Sequence, residues 1–133
     1  MTDGYVFELS WKVRDYECDI QGIVNNAVYM HYLEHTRNEF LNQSGPKFAE
    51  LHSQGIDIVL ARINMSLKTP LRPGDEIVSR LKFHKEHIKY VFQQDIFRKS
   101  DGKVACKAIV ELVCLINGKL GESEVVDNLL LTE

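Results

Sequence analysis

Asp19 sits in a polar loop, Asp15 to Gly22, just ahead of a segment with helical periodicity. The first backbone N–H groups of a helix have no internal partner and carry the positive end of its dipole. A carboxylate beside such a helix end supplies what hydrolysis of an ester or thioester needs. One part is a base or nucleophile, the other a group that stabilises an oxyanion. Gly22 lets backbone or substrate come close. Taken alone, a loop aspartate reads first as an Asx-turn or cap residue that only shapes the chain.

The elements that must position this loop follow from periodicity. Phe7, Leu9, Trp11 and Val13 alternate with Glu8, Ser10, Lys12 and Arg14, which predicts a half-buried strand. A helix is expected from about Asn26 to Asn42, with Asn25 or Asn26 as N-cap and Gly45-Pro46 as its stop. Tyr29, Leu33, Thr36 and Phe40 form its stripe, flanked by Met30, Tyr32, Arg37 and Leu41. His31, Glu34, His35, Asn38 and Asn42 lie opposite. Such a broad apolar face suits a helix lying on a sheet.

A second strand is read over Arg62 to Lys68, and Pro70 to Asp75 is a turn. Ile77, Leu81 and Phe83 mark a third strand, with Ser79 as the exception. Ile88, Tyr90, Phe92 and Ile96 mark a fourth. Ser100 to Lys103 reads as a hairpin turn. Val104 to Ile116 is apolar on both parities over much of its length, which predicts a central strand covered on both faces. Asn117-Gly118 turns the chain, and the tail from Leu120 to Glu133 is expected to hold one more short strand. Short hairpins imply an antiparallel sheet, and one long helix covering it makes an α+β domain.

The 133 residues fit a single domain, 1–133, with 44% hydrophobic and 26% charged residues, ordinary for a globular chain. A formal net charge of -3 gives no bulk attraction to nucleic acid. No apolar run has the length of a membrane span, and Met1 to Tyr5 carry no signal-like core. Cys18, Cys106 and Cys114 lack metal-motif spacing, and an odd count without an export signal points to reduced thiols and a cytoplasmic location.

The stretch Val13 to Leu41 resembles the signature of the 4-hydroxybenzoyl-CoA thioesterase family of hotdog-fold proteins, which includes the Tol–Pal-associated acyl-CoA thioesterases. The second aspartate of its Asp-x-Asp falls on Asp19, its glycine on Gly22 and its valine on Val24. Asn25, Asn26, Ala27 and Tyr29 match its Asn-Asn-Ala-x-Tyr, and Tyr32, Glu34 and Arg37 match its helix. Leu71 to Glu76 resembles its Pro-x-x-Gly-Asp turn. Two positions depart: Glu17 replaces the first aspartate, and Ile23 stands where many members carry histidine.

The resemblance implies a hotdog fold, a sheet of about five strands wrapped around one helix. It implies hydrolysis of a fatty or aromatic acyl-CoA, with no cofactor and no metal. Asp19 would act as nucleophile or as general base, with the backbone N–H near Asn26 polarising the thioester oxygen. Glu34 is a rival catalyst, because another hotdog branch uses a helix glutamate. Its plain alternative is a solvated residue paired with Arg37. Gly22, Ile23, Val24, Asn25 and Tyr29 would meet substrate. Lys89, with Lys85, Lys82 and Arg62 as further candidates, would meet CoA, unless these are only the polar face of exposed strands. A homodimer or homotetramer is implied, with sites at the dimer interface. The alternatives on this scaffold are a non-catalytic acyl-thioester binder and an acyl-carrier-protein thioesterase.

Two rival signals remain. His31-Tyr32-Leu33-Glu34-His35 fits the His-x-x-Glu-His of inverted zinc peptidases, but no third ligand stands out and a polar helix face is the simpler reading. Cys18 has no histidine nearby in sequence to activate it, and Cys106 and Cys114 read as core residues.

Overall fold

The structure, a computed structural model, describes residues 4–43 and 48–131. Strand β1 (Phe7–Lys12) is followed by a 3-10 turn (Asp15–Glu17), helix α1 (Asn26–Asn42) and a short helix α2 (Phe48–Ser53). Then come β2 (Ile56–Leu67), β3 (Glu76–Glu86), β4 (Lys89–Arg98), β5 (Val104–Ile116), β6 (Lys119–Gly121) and helix α3 (Glu124–Leu131). The sheet is antiparallel and six-stranded, in the order β1-β3-β4-β5-β2, with β6 on β5.

Helix α1 spans the expected residues, and Asn25 is its N-cap. The expected stop at Gly45-Pro46 lies outside the described residues. Its stripe meets the sheet through Leu33, fully buried, and through Phe40, whose ring packs on Phe7, Phe83 and Phe92 at 5.5, 5.5 and 6.3 Å. Ser79, the polar exception in β3, faces Thr36 at 2.8 Å (Oγ to Oγ1), so each hydroxyl is satisfied inside the core. Alternation therefore holds through Ser79, with a hydroxyl where an apolar side chain was expected.

Several expectations are corrected. Strand β2 starts at Ile56, earlier than its alternation suggests, because a register shift between Leu60 and Arg62 breaks the parity on which the pattern depends. Ile88 falls in the turn before β4. Strand β5 is central, but the described residues cover its outer face only in part, with Val113 buried there. Cys106, Ala108, Val110 and Cys114 point into the core, whereas Ile109 on the outer face is 41% exposed. The tail contains a helix besides the short strand β6. Ser123 caps α3 by accepting the Val126 N–H at 3.2 Å, and Val126 and Leu130, one turn apart, are buried.

Candidate active site

The Asp19 loop hangs between β1 and α1 at one end of the sheet. Backbone bonds pin it. Val13 N–H donates to Asp75 and Gly74 N–H to Val13, each at 2.9 Å, so the Pro70–Asp75 turn clamps the end of β1. Val24 N–H reaches Leu71 at 2.8 Å. Asp19 N–H donates to Ile23 and Gly22 N–H to Asp19, each at 2.9 Å, and Cys18 bridges to Val24. This tight reversal needs the left-handed φ of 77° at Gly22, where a side chain would be strained.

Beneath the loop, Glu17 is 7% exposed. Its Oε1 accepts the Arg14 N–H and the Tyr32 hydroxyl, each at 2.8 Å, and its Oε2 pairs with Arg14 Nη2 at 2.9 Å. Glu17 thus ties the loop to α1 and satisfies a carboxylate that burial would otherwise penalise. Sequence reasoning recorded Glu17 only as a departure from a motif. Its proximity to Tyr32 arises from the fold, and local spacing carries no sign of it. Burial, then the Glu17 hydrogen bond, pushes the Tyr32 phenol far above its usual value.

Asp19 is half-buried. Its Oδ1 accepts the Gln21 N–H at 2.9 Å, the Asx-turn that the plain reading expects. Its Oδ2 receives no hydrogen bond from the described residues. At the helix start, Asn25 Oδ1 takes the Ala27 N–H and Asn25 O takes the Val28 N–H, each at 2.9 Å. The Asn26 N–H has no acceptor among the described residues. A carboxylate oxygen and a helix-end donor thus remain uncommitted around one loop.

The other expected residues divide. Gly22 and Ile23 form the half-buried lip of the loop, and Asn25 is exposed. Val24 and Tyr29 are core side chains, 2% and 3% exposed, so in the single chain they shape the loop from beneath. Burial raises the Tyr29 phenol to about 12. Glu34 is exposed on a later turn of α1 and lines a separate cavity of about 230 Å³ with Arg37, Asn38 and Ile58. The expected Glu34–Arg37 ion pair is not formed. Arg37 turns inward, 8% exposed, and its Nη1 donates to Gln94 Oε1 at 3.0 Å, while Gln94 Nε2 donates to Leu33 O at 3.0 Å.

Lys89 opens β4 at the opposite end of the sheet, where it pairs with Glu111 at 3.0 Å. The length of β4, roughly 30 Å at about 3.3 Å per residue, separates it from the Asp19 end of its own chain. Lys85 is held by Glu122 and Asp127 at 2.7 and 2.9 Å, Lys82 stacks on Tyr5, and Arg62 lies opposite Glu111.

His31 and His35 are exposed. No group of three metal-ligating side chains gathers among the described residues. Burial, then the carboxylates of Glu17, Asp15 and Asp19, pushes the Cys18 thiol up, which opposes a thiolate nucleophile there. Cys106 and Cys114 are fully buried, and burial raises them to about 12 and about 11.

The fold recurs in known structures. A hypothetical protein of Aquifex aeolicus superposes with a TM-score of 0.86 at 27% identity, covering 94% of this chain and 99% of its own. The acyl-acyl carrier protein thioesterase ATL3 of Arabidopsis thaliana is 41% identical over 56% of this chain and 40% of its own length. The long-chain acyl-CoA thioesterase FadM of Escherichia coli is 29% identical over 78% of this chain and 79% of its own. The chain spans about half the length, or less, of the two Arabidopsis relatives it matches. The Thioesterase-like superfamily model matches residues 13–129, nearly the whole chain, with the Asp19 loop, α1 and all the strands from β2 onward inside it. The chain belongs to the Thioesterase-like superfamily and has the hotdog fold.

Proposed function

We propose that this chain is an acyl-CoA thioesterase of the 4-hydroxybenzoyl-CoA thioesterase type, acting as a single domain on a fatty or aromatic acyl thioester. The observation that carries the reading is that, among the described residues, neither Asp19 Oδ2 nor the Asn26 N–H at the start of α1 has a hydrogen-bond partner. The carboxylate would attack the thioester carbonyl or take a proton from water, and the Asn26 N–H would stabilise the oxyanion. Attack by water on the carbonyl breaks the C–S bond and releases free acid and thiol. Relatives named as acyl-CoA and acyl-carrier-protein thioesterases support this chemistry.

A homodimer or homotetramer fits the same reading. Strand β2 is a sheet edge of 12 residues, and such an edge pairs readily with a second copy. A second copy is also the one arrangement in which Lys89 would approach an Asp19 loop, that of its partner. Three free thiols suit a reducing, cytoplasmic setting.

The test is thiol release from short, long and aromatic acyl-CoAs, with and without a chelator. Hydrolysis that ignores the chelator supports the reading. Absence of release from every acyl-CoA would leave a binding role or a carrier-bound substrate.

A further inference from the structure

Helix α1 rests on β3 and β1, so the inner face of β2, at the far edge of the sheet, lies beside it and not beneath it. The register names that face. Ile58, Leu60, Ile63, Met65 and Leu67 stand opposite Cys114, Leu112, Val110, Ala108 and Cys106 of β5, whose side chains point to the core. The extra residue at the bulge, Ala61, keeps the row apolar on both sides of it. The row is not closed over. Leu60 and Leu67 are 43% and 39% exposed, and Met30 on α1 is 37% exposed. Helix and row frame an apolar groove.

The groove begins at the Asp19 end. Leu67 precedes Lys68, whose N–H bonds Ala105, and Leu71 accepts the Val24 N–H of the Asp19 loop. Helix α1 starts at that end too, one turn before Met30. The groove leads to the cavity of about 230 Å³, where Leu41, Ile58, Leu60 and Leu112 are joined by Arg37 and Asn38, with the exposed Glu34 at the rim.

Arg37 is the odd member of this apolar setting. A guanidinium stays charged at any working pH, and this one is 8% exposed. Burial lowers its pKa from the usual value, and the charge of Glu34 works the other way. Its one side-chain hydrogen bond among the described residues goes to a neutral amide, Gln94 Oε1. The other forked N–H groups are left over, and no carboxylate stands within ion-pair distance. Asn38 likewise makes no side-chain hydrogen bond among the described residues. A buried charge without a counter-charge is costly, and the exposed Glu34 is screened by water. Spare guanidinium donors at the far end of an apolar groove are complementary to a carboxylate.

The length can be read as well. Arg37 lies about three turns beyond Asn26, about 16 Å along the helix. A hydrogen bond covers about 3 Å of that. An extended chain advances about 1.2 Å per bond, so the remaining ~13 Å takes roughly eleven bonds. Pairing of β2 with a second copy would use backbone groups in the plane of the sheet and leave this row of side chains to the groove.

We propose that the groove holds an acyl chain whose far end carries a carboxylate bound by Arg37 and Asn38, so that the substrate is the monothioester of a dicarboxylic acid of about twelve carbons. The inference rests on the thioester-hydrolase reading, with the Asn26 N–H as oxyanion donor, and adds the substrate class. Arg37 selects the substrate and stands too far from the thioester to share in bond breaking.

The experiment measures thiol release from dodecanoyl-CoA and from the mono-CoA thioesters of hexanedioic, dodecanedioic and hexadecanedioic acids. The wild type should favour dodecanedioyl-CoA over dodecanoyl-CoA by about tenfold or more in kcat/KM, with the diacid series peaking at dodecanedioyl. Arg37→Gln should bring that ratio near one, and Arg37→Lys should keep part of it. Asn38→Ala, at a half-buried site with no side-chain bond to lose, should lower it severalfold and serves if the Arg37 variants do not fold. A wild type that hydrolyses dodecanoyl-CoA as well or better overturns the proposal. So does a ratio unmoved by the variants that fold. If the wild type hydrolyses none of the four, the hydrolase reading fails. Calorimetric titration with dodecanedioyl-CoA and dodecanoyl-CoA then decides the groove alone: tighter binding of the diacid thioester upholds it, and equal or weaker binding ends it.

Discussion

At one end of the sheet the Asp19 loop is held by backbone hydrogen bonds and by one buried carboxylate, Glu17, above the buried side chains of Val24 and Tyr29. At the other end Phe7, Phe40, Phe83 and Phe92 pack ring on ring, Phe83 and Phe92 stacked at 5.2 Å. There α3 is latched by Lys85, Asp127 and Tyr90. Hydrogen bonds are directional, so the first end can fix a carboxylate that stays half-exposed. Aromatic burial is large and tolerant of direction, so the second end can supply stability. Chemistry and stability should therefore separate along the sheet.

The sharpest break in this division is Asp19→Asn. The amide keeps the Asx-turn but loses the basic, nucleophilic oxygen. Turnover should fall by about 10²–10⁴-fold, with the unfolding midpoint nearly unmoved, as read by thiol release and urea titration. Glu34→Gln serves as its control. If the Glu34 variant is dead and the Asp19 variant active, the catalyst is the helix glutamate.

Phe92→Ala should do the reverse. Emptying a fully buried ring site at the aromatic end costs about 3–5 kcal/mol of stability, while kcat of the folded fraction holds. Loss of kcat in proportion to stability would show that the two ends are one cooperative unit.

Glu17→Gln sits between the two. It keeps an acceptor for the Tyr32 hydroxyl but removes the charge opposite Arg14. We expect roughly 1–2 kcal/mol of destabilisation with a fall in kcat, because the loop that aims Asp19 loosens. A stable variant with full kcat would mean that the backbone bonds suffice.

The smallest effect is expected at the latch. Burial raises Asp127, but the hydroxyl of Tyr90 and the ammonium of Lys85 outweigh it and hold the carboxyl below the usual range. Stability from a lowered carboxylate is present above its unfolded value, about 3.9, and is lost as pH falls through the lower folded one. Asp127→Asn should cost roughly 0.5–1.5 kcal/mol near neutrality. It should also flatten the stability profile below about pH 4, measured by thermal unfolding across pH. An unaltered acid slope would place the latch elsewhere.

The linear chain carried much of this outcome. Period-two runs located β1, β3 and β4, and the span of α1 and its Asn25 cap followed from local rules that depend on neighbours a turn away. The turn at Pro70–Asp75 and the Asx-turn at Asp19 were legible for the same reason. Where a bulge broke parity at Leu60, or a Ser123 cap opened α3 behind a short strand, the local signal was ambiguous and the reading stopped short.

What the tertiary structure alone decided are pairings between residues far apart in the chain. Glu17 with Tyr32, Thr36 with Ser79, and Arg37 with Gln94 have no local spacing to announce them. Each is set by sheet register and by where α1 crosses it, and register follows from the sum of many weak side-chain preferences across strands.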